Sequence, residues 1–239
     1  MLVITTPALA ADDAYSSIAA LVKWLPLLLQ GFAVDFAVSV ASMAIGTVLG
    51  TLVGVGQIAT RRWLRIGCAW ITQFFRNAPW LVLLFFCVLL LPYQFSPFGT
   101  TIPFPSWAKG IVGLALPVMG NVAEVVRGGI QSIPSGQWEA ADALALSRRQ
   151  ILYLVVFPQA IKRMLPPWMN VYAVLMMATP LVSIVGVNDS VTVARSVLAA
   201  ESNPALLMPV YGLLLLLFFL YCAPIARWTR RLEARFSVT

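Results

Sequence analysis

Five stretches of this chain are long enough, apolar enough and poor enough in charge to cross a lipid bilayer. A helix needs about 20 mostly apolar residues to span the hydrocarbon. Such runs lie at about Gln30–Ala59 (rich in glycine at Gly46, Gly50, Gly54 and Gly56), Trp70–Leu91, Ala108–Ile130, Pro167–Val187 and Ala205–Ala226. Of the 239 residues, 60% are hydrophobic and 10% charged, whereas a soluble domain carries about 25% charge. A water-facing surface cannot be made from that composition. The expected class is an all-α integral membrane protein with five transmembrane helices. Before the first span, Ala19–Leu29 is apolar but interrupted by Lys23 and Pro26, so residues 1–29 read as an outer or interfacial lead-in. Ala8-Leu9-Ala10 imitates a signal-peptide cleavage step. With no basic region before it and a short, broken apolar part, the N-terminus is expected to be retained.

Orientation follows from where the basic residues fall. Of the 16, Arg61, Arg62, Arg65, Arg76, Arg127, Arg148, Arg149, Lys162, Arg163, Arg227, Arg230, Arg231 and Arg235 share one side of the five-span arrangement, and Lys23, Lys109 and Arg195 the other. The N-terminus is expected outside, and the C-terminus, with a basic tail over 227–239, inside. The net charge of +7 is accounted for by cytoplasmic loops, not by nucleic acid. The chain has no histidine, which removes Ser-His and Cys-His nucleophile pairs and imidazole metal sites. Cys68, Cys87 and Cys222 lie far apart in apolar runs and form no metal or disulfide pattern. No GxxxxGK[ST] phosphate loop occurs, so no ATP is expected to bind here.

The cytoplasmic loop, residues 131–166, is the most informative segment. Pro134-Ser135-Gly136 makes a turn into a short helix over Gln137–Leu144, with Ser135 as its cap and Glu139 near its positive end. Ser147-Arg148-Arg149-Gln150 is a capping box that opens a second helix to about Phe157. Pro158 is expected to stop or kink it, and Pro166-Pro167 to restart the chain as span four. Taken alone, this reads equally as an amphipathic surface hairpin.

Glu139-Ala140-Ala141, Leu144-Ala145-Leu146-Ser147, Val156-Phe157-Pro158-Gln159-Ala160-Ile161 and Leu165-Pro166-Pro167 together resemble the EAA loop of ABC-importer permeases, specifically the polar amino acid subfamily. Phe75-Arg76-Asn77-Ala78-Pro79, Ala123-Glu124, Arg127-Gly128-Gly129-Ile130-Gln131-Ser132-Ile133-Pro134 and Leu232-Glu233 extend the resemblance over roughly residues 30–235. It implies a type I importer transmembrane domain over 30–226 in a bacterial inner membrane. The implied partners are a second permease subunit (identical or a paralogue), an ATPase dimer that binds ATP and magnesium, and a periplasmic amino-acid-binding protein. Glu139, Ala140, Ala141, Leu144, Ala145, Leu146 and Ser147 would couple to the ATPase. The chain departs from the family pattern at Ala145, where glycine is usual; alanine there is expected to keep a right-handed helical corner. In span four, Met177-Ala178-Thr179-Pro180-Leu181 stand where the family often carries Lys-Asp-Thr-Ser-Leu, and Asn121-Val122 replace an aromatic in span three.

Four residues are candidates for the substrate pathway. Glu124 is a carboxylate inside an apolar span, which normally faces a cavity or a partner. Either it pairs with Arg127 at i+3, or it lines a polar cavity. Asn121 shares its helix face. Asp35 lies near the outer end of span one, where water is expected to reach it, and Thr179 stands in the altered span-four motif. A stand-alone secondary transporter is the alternative reading. It would show internal repeats and several intramembrane coupling carboxylates. An intramembrane enzyme fails for want of histidine or an aspartyl pair.

Overall fold

The computed structural model describes residues 7–95 and 102–236. The first helix, α1 (Pro7–Gly56), runs unbroken through Pro26. The lead-in before Gln30 and span one are therefore a single helix and not two elements. Proline removes one donor from the ladder, and in a membrane helix this is tolerated. After a turn come α2 (Arg62–Asn77) and α3 (Trp80–Leu90). The expected straight span at 70–91 is instead a pair bent by 104°. Pro79 explains the bend: the residue before a proline is pushed out of the helical region, and Ala78 is extended at φ −71°, ψ 138°.

Outside α3 the chain forms the only strands among the described residues. In this antiparallel ladder of β1 (Gln94–Phe95) and β2 (Ile102–Pro103), Gln94 faces Pro103. The middle of the loop expected over Pro92–Trp107 lies outside the described residues. Next is α4 (Ser106–Gln131), then α5 (Ser135–Ala143) and α6 (Arg148–Gln150). A π-helical turn over Ile151–Val156 leads into α7 (Phe157–Ala178), which a 3-10 stretch extends over Thr179–Val185. The expected stop at Pro158 and restart at Pro166-Pro167 do not occur. Pro158 falls at the start of α7 directly after the π turn, and the helix runs on through it, so that Arg148–Val185 is one stretch long and apolar enough to span a membrane. Finally α8 (Ser190–Glu201) is followed by α9 (Leu207–Phe236), which carries the basic tail as helix.

Four helices are long and apolar enough to cross a membrane, or five if the bent pair counts as one span. The chain is an all-α membrane protein. Its central contact is α1 on α4. Gly46, Gly50 and Gly54 recur every fourth residue, so one edge of α1 has no side chains. Val118, Met119, Val122, Ala123 and Val126 of α4 close onto that edge. A Cβ at Gly50 would stand 2.7 Å from the Met119 carbonyl oxygen. Small-residue stripes of this kind let helix backbones approach where hydrophobic driving force is absent. A core of Val38, Leu114, Val118, Val122, Val126, Ile130 and Leu175 fills the centre.

Candidate functional site

The loop between α4 and α7 is tied down at both ends. Arg163 donates from Nη1 to the Ser132 carbonyl at the end of α4, at 2.5 Å. The Gln159 amide donates to the Val155 carbonyl at 2.9 Å and to the Gln137 side-chain oxygen at 3.0 Å, which holds α5 against the start of α7. Pro134 occupies the N-cap position of α5, so Ser135 falls one place inside the helix and makes no cap bond. Glu139 is the fifth helical residue, outside the first turn, and the dipole effect fades beyond that turn. Both expectations are thus corrected: α5 is held by packing, not by capping or charge. Ala141 is 3% exposed and packs, with Trp138, into the core around Ile133, Ile151 and Val156. Glu139, Ala140, Ala143 and Leu144 face outward, Leu144 at 75% exposure.

The corner after α5 is left-handed. Ala145 has φ 56°, its N–H donates to the Asp142 carbonyl at 2.9 Å, and the Leu146 N–H donates back to Ala141 at 3.4 Å. This bond pair is a Schellman motif, which requires positive φ at the residue after the C-cap and is why glycine is favoured there. The right-handed corner expected for alanine is therefore wrong, and the Cβ is strained by about 1 kcal/mol. Ala145→Gly is expected to raise stability by about that amount. A thermal-unfolding midpoint in detergent checks this, and an unchanged or lowered midpoint contradicts it. Beyond the corner the Ser147–Gln150 capping box forms as read from the sequence: the Ser147 N–H donates to the Gln150 side chain at 2.9 Å, and Ser147 Oγ accepts from the Gln150 N–H at 3.5 Å.

At the same end of the bundle, Glu124 opens onto a cleft of about 490 Å³ shared with Gly128, Ser132, Arg163, Pro167 and Glu233. Its two oxygens are gripped by Arg127, through Nε at 3.0 Å and through Nη2. Arg76 stands 3.8 Å away. Arg76 arrives because α2 presses on α4 at Gly120, where a Cβ would lie 2.8 Å from the Arg76 backbone nitrogen. Arg127 also donates to Gln131 at 2.5 Å. The pair with Arg127 expected as one reading of Glu124 exists, and it borders an open cleft.

The other pathway candidates do not line this cleft. Asn121 donates its amide to the Pro117 carbonyl at 2.8 Å, satisfying a carbonyl within its own helix. Thr179 is fully buried and donates to Met176 at 2.8 Å. Asp35, expected near water, is also fully buried and accepts from Ser190 at the start of α8. Glu124 is thus separate from a second group made by Asp35, Thr179 and Ser190.

Some polar contacts were not legible in the sequence. Tyr172 and Tyr221 share a hydrogen bond at 2.7 Å between α7 and α9. Lys109 is fully buried, donating to the Val88 and Leu91 carbonyls at 3.2 and 2.7 Å with the Tyr93 ring 3.3 Å away. The free carbonyl end of α3, with the Tyr93 ring, makes this buried ammonium tolerable.

Residues 46–238 match the model of a family described as binding-protein-dependent transport system inner membrane component. The chain is 35% identical over 203 residues to the inner membrane amino-acid ABC transporter permease protein YhdY of Escherichia coli (strain K12), covering 83% of this chain and 54% of that protein. It thus spans about half the length of that relative. It is 28% identical to the probable amino-acid ABC transporter permease protein YckA of Bacillus subtilis (strain 168), over 90% of this chain and 92% of the other. Among solved structures, one described as an amino acid ABC transporter with histidines superposes with a TM-score of 0.77 at 23% identity, over 91% of this chain and 97% of that one. The chain therefore belongs to the family of binding-protein-dependent transport system inner membrane components.

Proposed function

We propose that this chain is the pathway-forming subunit of an ATP-driven importer of polar amino acids in a bacterial inner membrane. The observation that carries this reading is the elbow of α5, Ala145 and α6. It is bonded rigidly to α4 and α7, yet it turns a small-residue face with Leu144 outward and buries nothing with it. A rigid lever with an unfilled face suits a partner that moves. The partner would be an ATPase dimer holding ATP and magnesium, seated on Glu139, Ala140, Leu144 and the corner at Ala145–Ser147. A second permease copy or paralogue would complete the pathway, and a periplasmic binding protein would deliver substrate. Polar solutes do not cross about 30 Å of hydrocarbon unaided. ATP-driven closure of the partner would tilt the two permeases by favouring one of their conformations. In this scheme Glu124 and its cleft take part in the pathway, while Asn121, Asp35 and Thr179 act on helix geometry. The names of the relatives support the amino acid class.

The deciding experiment is purification of the tagged chain in mild detergent, followed by reconstitution with whatever co-purifies. A stoichiometric ATPase whose hydrolysis is stimulated by a loaded amino-acid-binding protein is the expected result. A lone chain that transports by itself overturns the proposal in favour of a secondary transporter.

The N-terminus is proposed to lie outside. In a background lacking Cys68, Cys87 and Cys222, single cysteines replacing exposed Arg195 and Ser135 are expected to react with impermeant reagents from opposite faces. Labelling from one face would overturn the arrangement.

A further inference from the structure

Two carboxylates stand in the dry junction between α1 and the start of α8. Asp35, Asp189, Ser190 and Thr179 are all fully buried. Gly31, one turn before Asp35, admits the α8 backbone: a Cβ there would lie 2.8 Å from the Ser190 Cα. Ser190 then donates twice to one oxygen of Asp35, from its N–H at 3.1 Å and from its hydroxyl. One oxygen of Asp189 accepts from the Thr192 N–H at 2.9 Å and caps α8. The remaining oxygens, Asp35 Oδ1 and Asp189 Oδ2, are the buried side-chain polar atoms without a hydrogen-bond partner among the described residues.

Among the described residues, no cation is placed against them. Around this junction, Lys23 of α1 is committed to Glu201 at 2.7 Å. Lys109 of α4 is committed to the Val88 and Leu91 carbonyls, and Arg195 of α8 is exposed. Tyr172 of α7 and Tyr221 of α9 bond each other. The 3-10 stretch over Thr179–Val185 carries no titratable group. Two ionised carboxylates next to each other in such a place disfavour one another, and each is also left with an acceptor unmet. One proton is the smallest group that removes both defects. It cancels one charge and turns one orphaned acceptor into an O–H donor. An acceptor is at hand in the oxygen of Thr179, which neighbours Asp35 and whose own proton goes to Met176.

We infer that Asp35, buried beside Asp189, carries a dissociable proton, and that this proton fastens α1 to α8. The sign follows: the fastening is complete at low pH and is lost as pH rises and the proton leaves. The Lys23–Trp24–Glu201 contact at the other end of α8 works in the opposite sense. Hydrogen bonds from Lys23 and then Trp24 hold the Glu201 carboxyl below its ordinary range, so that contact weakens as pH falls. The inference does not depend on what the chain transports.

The test uses the full chain in detergent. At mildly acid pH its infrared spectrum is expected to show a protonated carboxylic acid carbonyl stretch that shifts in heavy water, fades as pH rises and is missing in Asp35→Asn. That variant carries an amide donor where the O–H would be, so it mimics the protonated state permanently. Its unfolding midpoint is expected to match the wild type in acid and to exceed it by several degrees at mildly alkaline pH. No protonated-acid band in the wild type, or a band that survives in Asp35→Asn, overturns the inference. So do equal alkaline losses in both proteins. A midpoint raised by sodium or potassium in the wild type alone, at constant ionic strength, also overturns it and makes the site one for an alkali cation. Should Asp35→Asn not fold, the wild-type band and its titration decide the matter alone.

Discussion

Ala141→Trp is expected to abolish accumulation of folded protein, whereas Ala140→Trp should leave the fold intact and abolish ATP-coupled uptake. The two alanines are neighbours in the same motif, but they face opposite ways. Ala141 is 3% exposed in the core beside Ile133, Ile151 and Val156. Overpacking a filled core costs about 1–3 kcal/mol, and more for a group as large as an indole. Ala140 lies on the exposed face of α5, where substitutions shift stability by about 0.5 kcal/mol or less. An indole there stands where the ATPase is proposed to sit. Yield and unfolding midpoint report the first effect, and ATPase co-purification with uptake reports the second. If the Ala140→Trp complex assembles and transports at the normal rate, the outward face of α5 is not the coupling surface.

What the sequence made legible was whatever depends on one segment at a time. Hydropathy located the spans, because the bilayer acts on each helix separately, and the Ser147–Gln150 box formed because both partners lie within one turn. The misreadings share a different cause. Pro158, Pro166 and Pro167 look like helix breakers, but only the freed backbone groups matter, and α7 accommodates them. Pro79, inside the run read as one straight span over 70–91, produced the sharp bend instead. Asp35 looked like a solvated acid because nothing local reveals that Gly31 lets Ser190 close over it. Alanine at 145 favours a right-handed corner by its own preference. The two bonds back to Ala141 and Asp142 impose the left-handed one. In each case the deciding partner is remote in sequence or belongs to the backbone.

Glu124→Gln is expected to remove most transport, and the companion change at Arg127 shows why. In the wild type the carboxylate sits between Arg127, bound through both oxygens, and Arg76 at 3.8 Å. Removing its charge leaves two guanidinium groups facing a neutral amide. Breaking a fully buried pair costs about 3–5 kcal/mol. Here the side chains retain 24% and 32% exposure, so about 1–2 kcal/mol is the expected loss once solvent screening is allowed for. Adding Arg127→Gln removes the nearer unpaired cation and should return the yield. If Glu124 only holds α4 in shape, transport returns with the yield. If its carboxylate serves solute in the cleft it shares with Arg163 and Glu233, the double variant folds, assembles and still fails to transport. The second outcome is expected. Arg127 alone could have satisfied Glu124 in a closed interior, yet the pair borders an open cleft, where a bound solute can compete for the same carboxylate. Recovery of uptake in Glu124→Gln/Arg127→Gln would assign the pair a purely structural role.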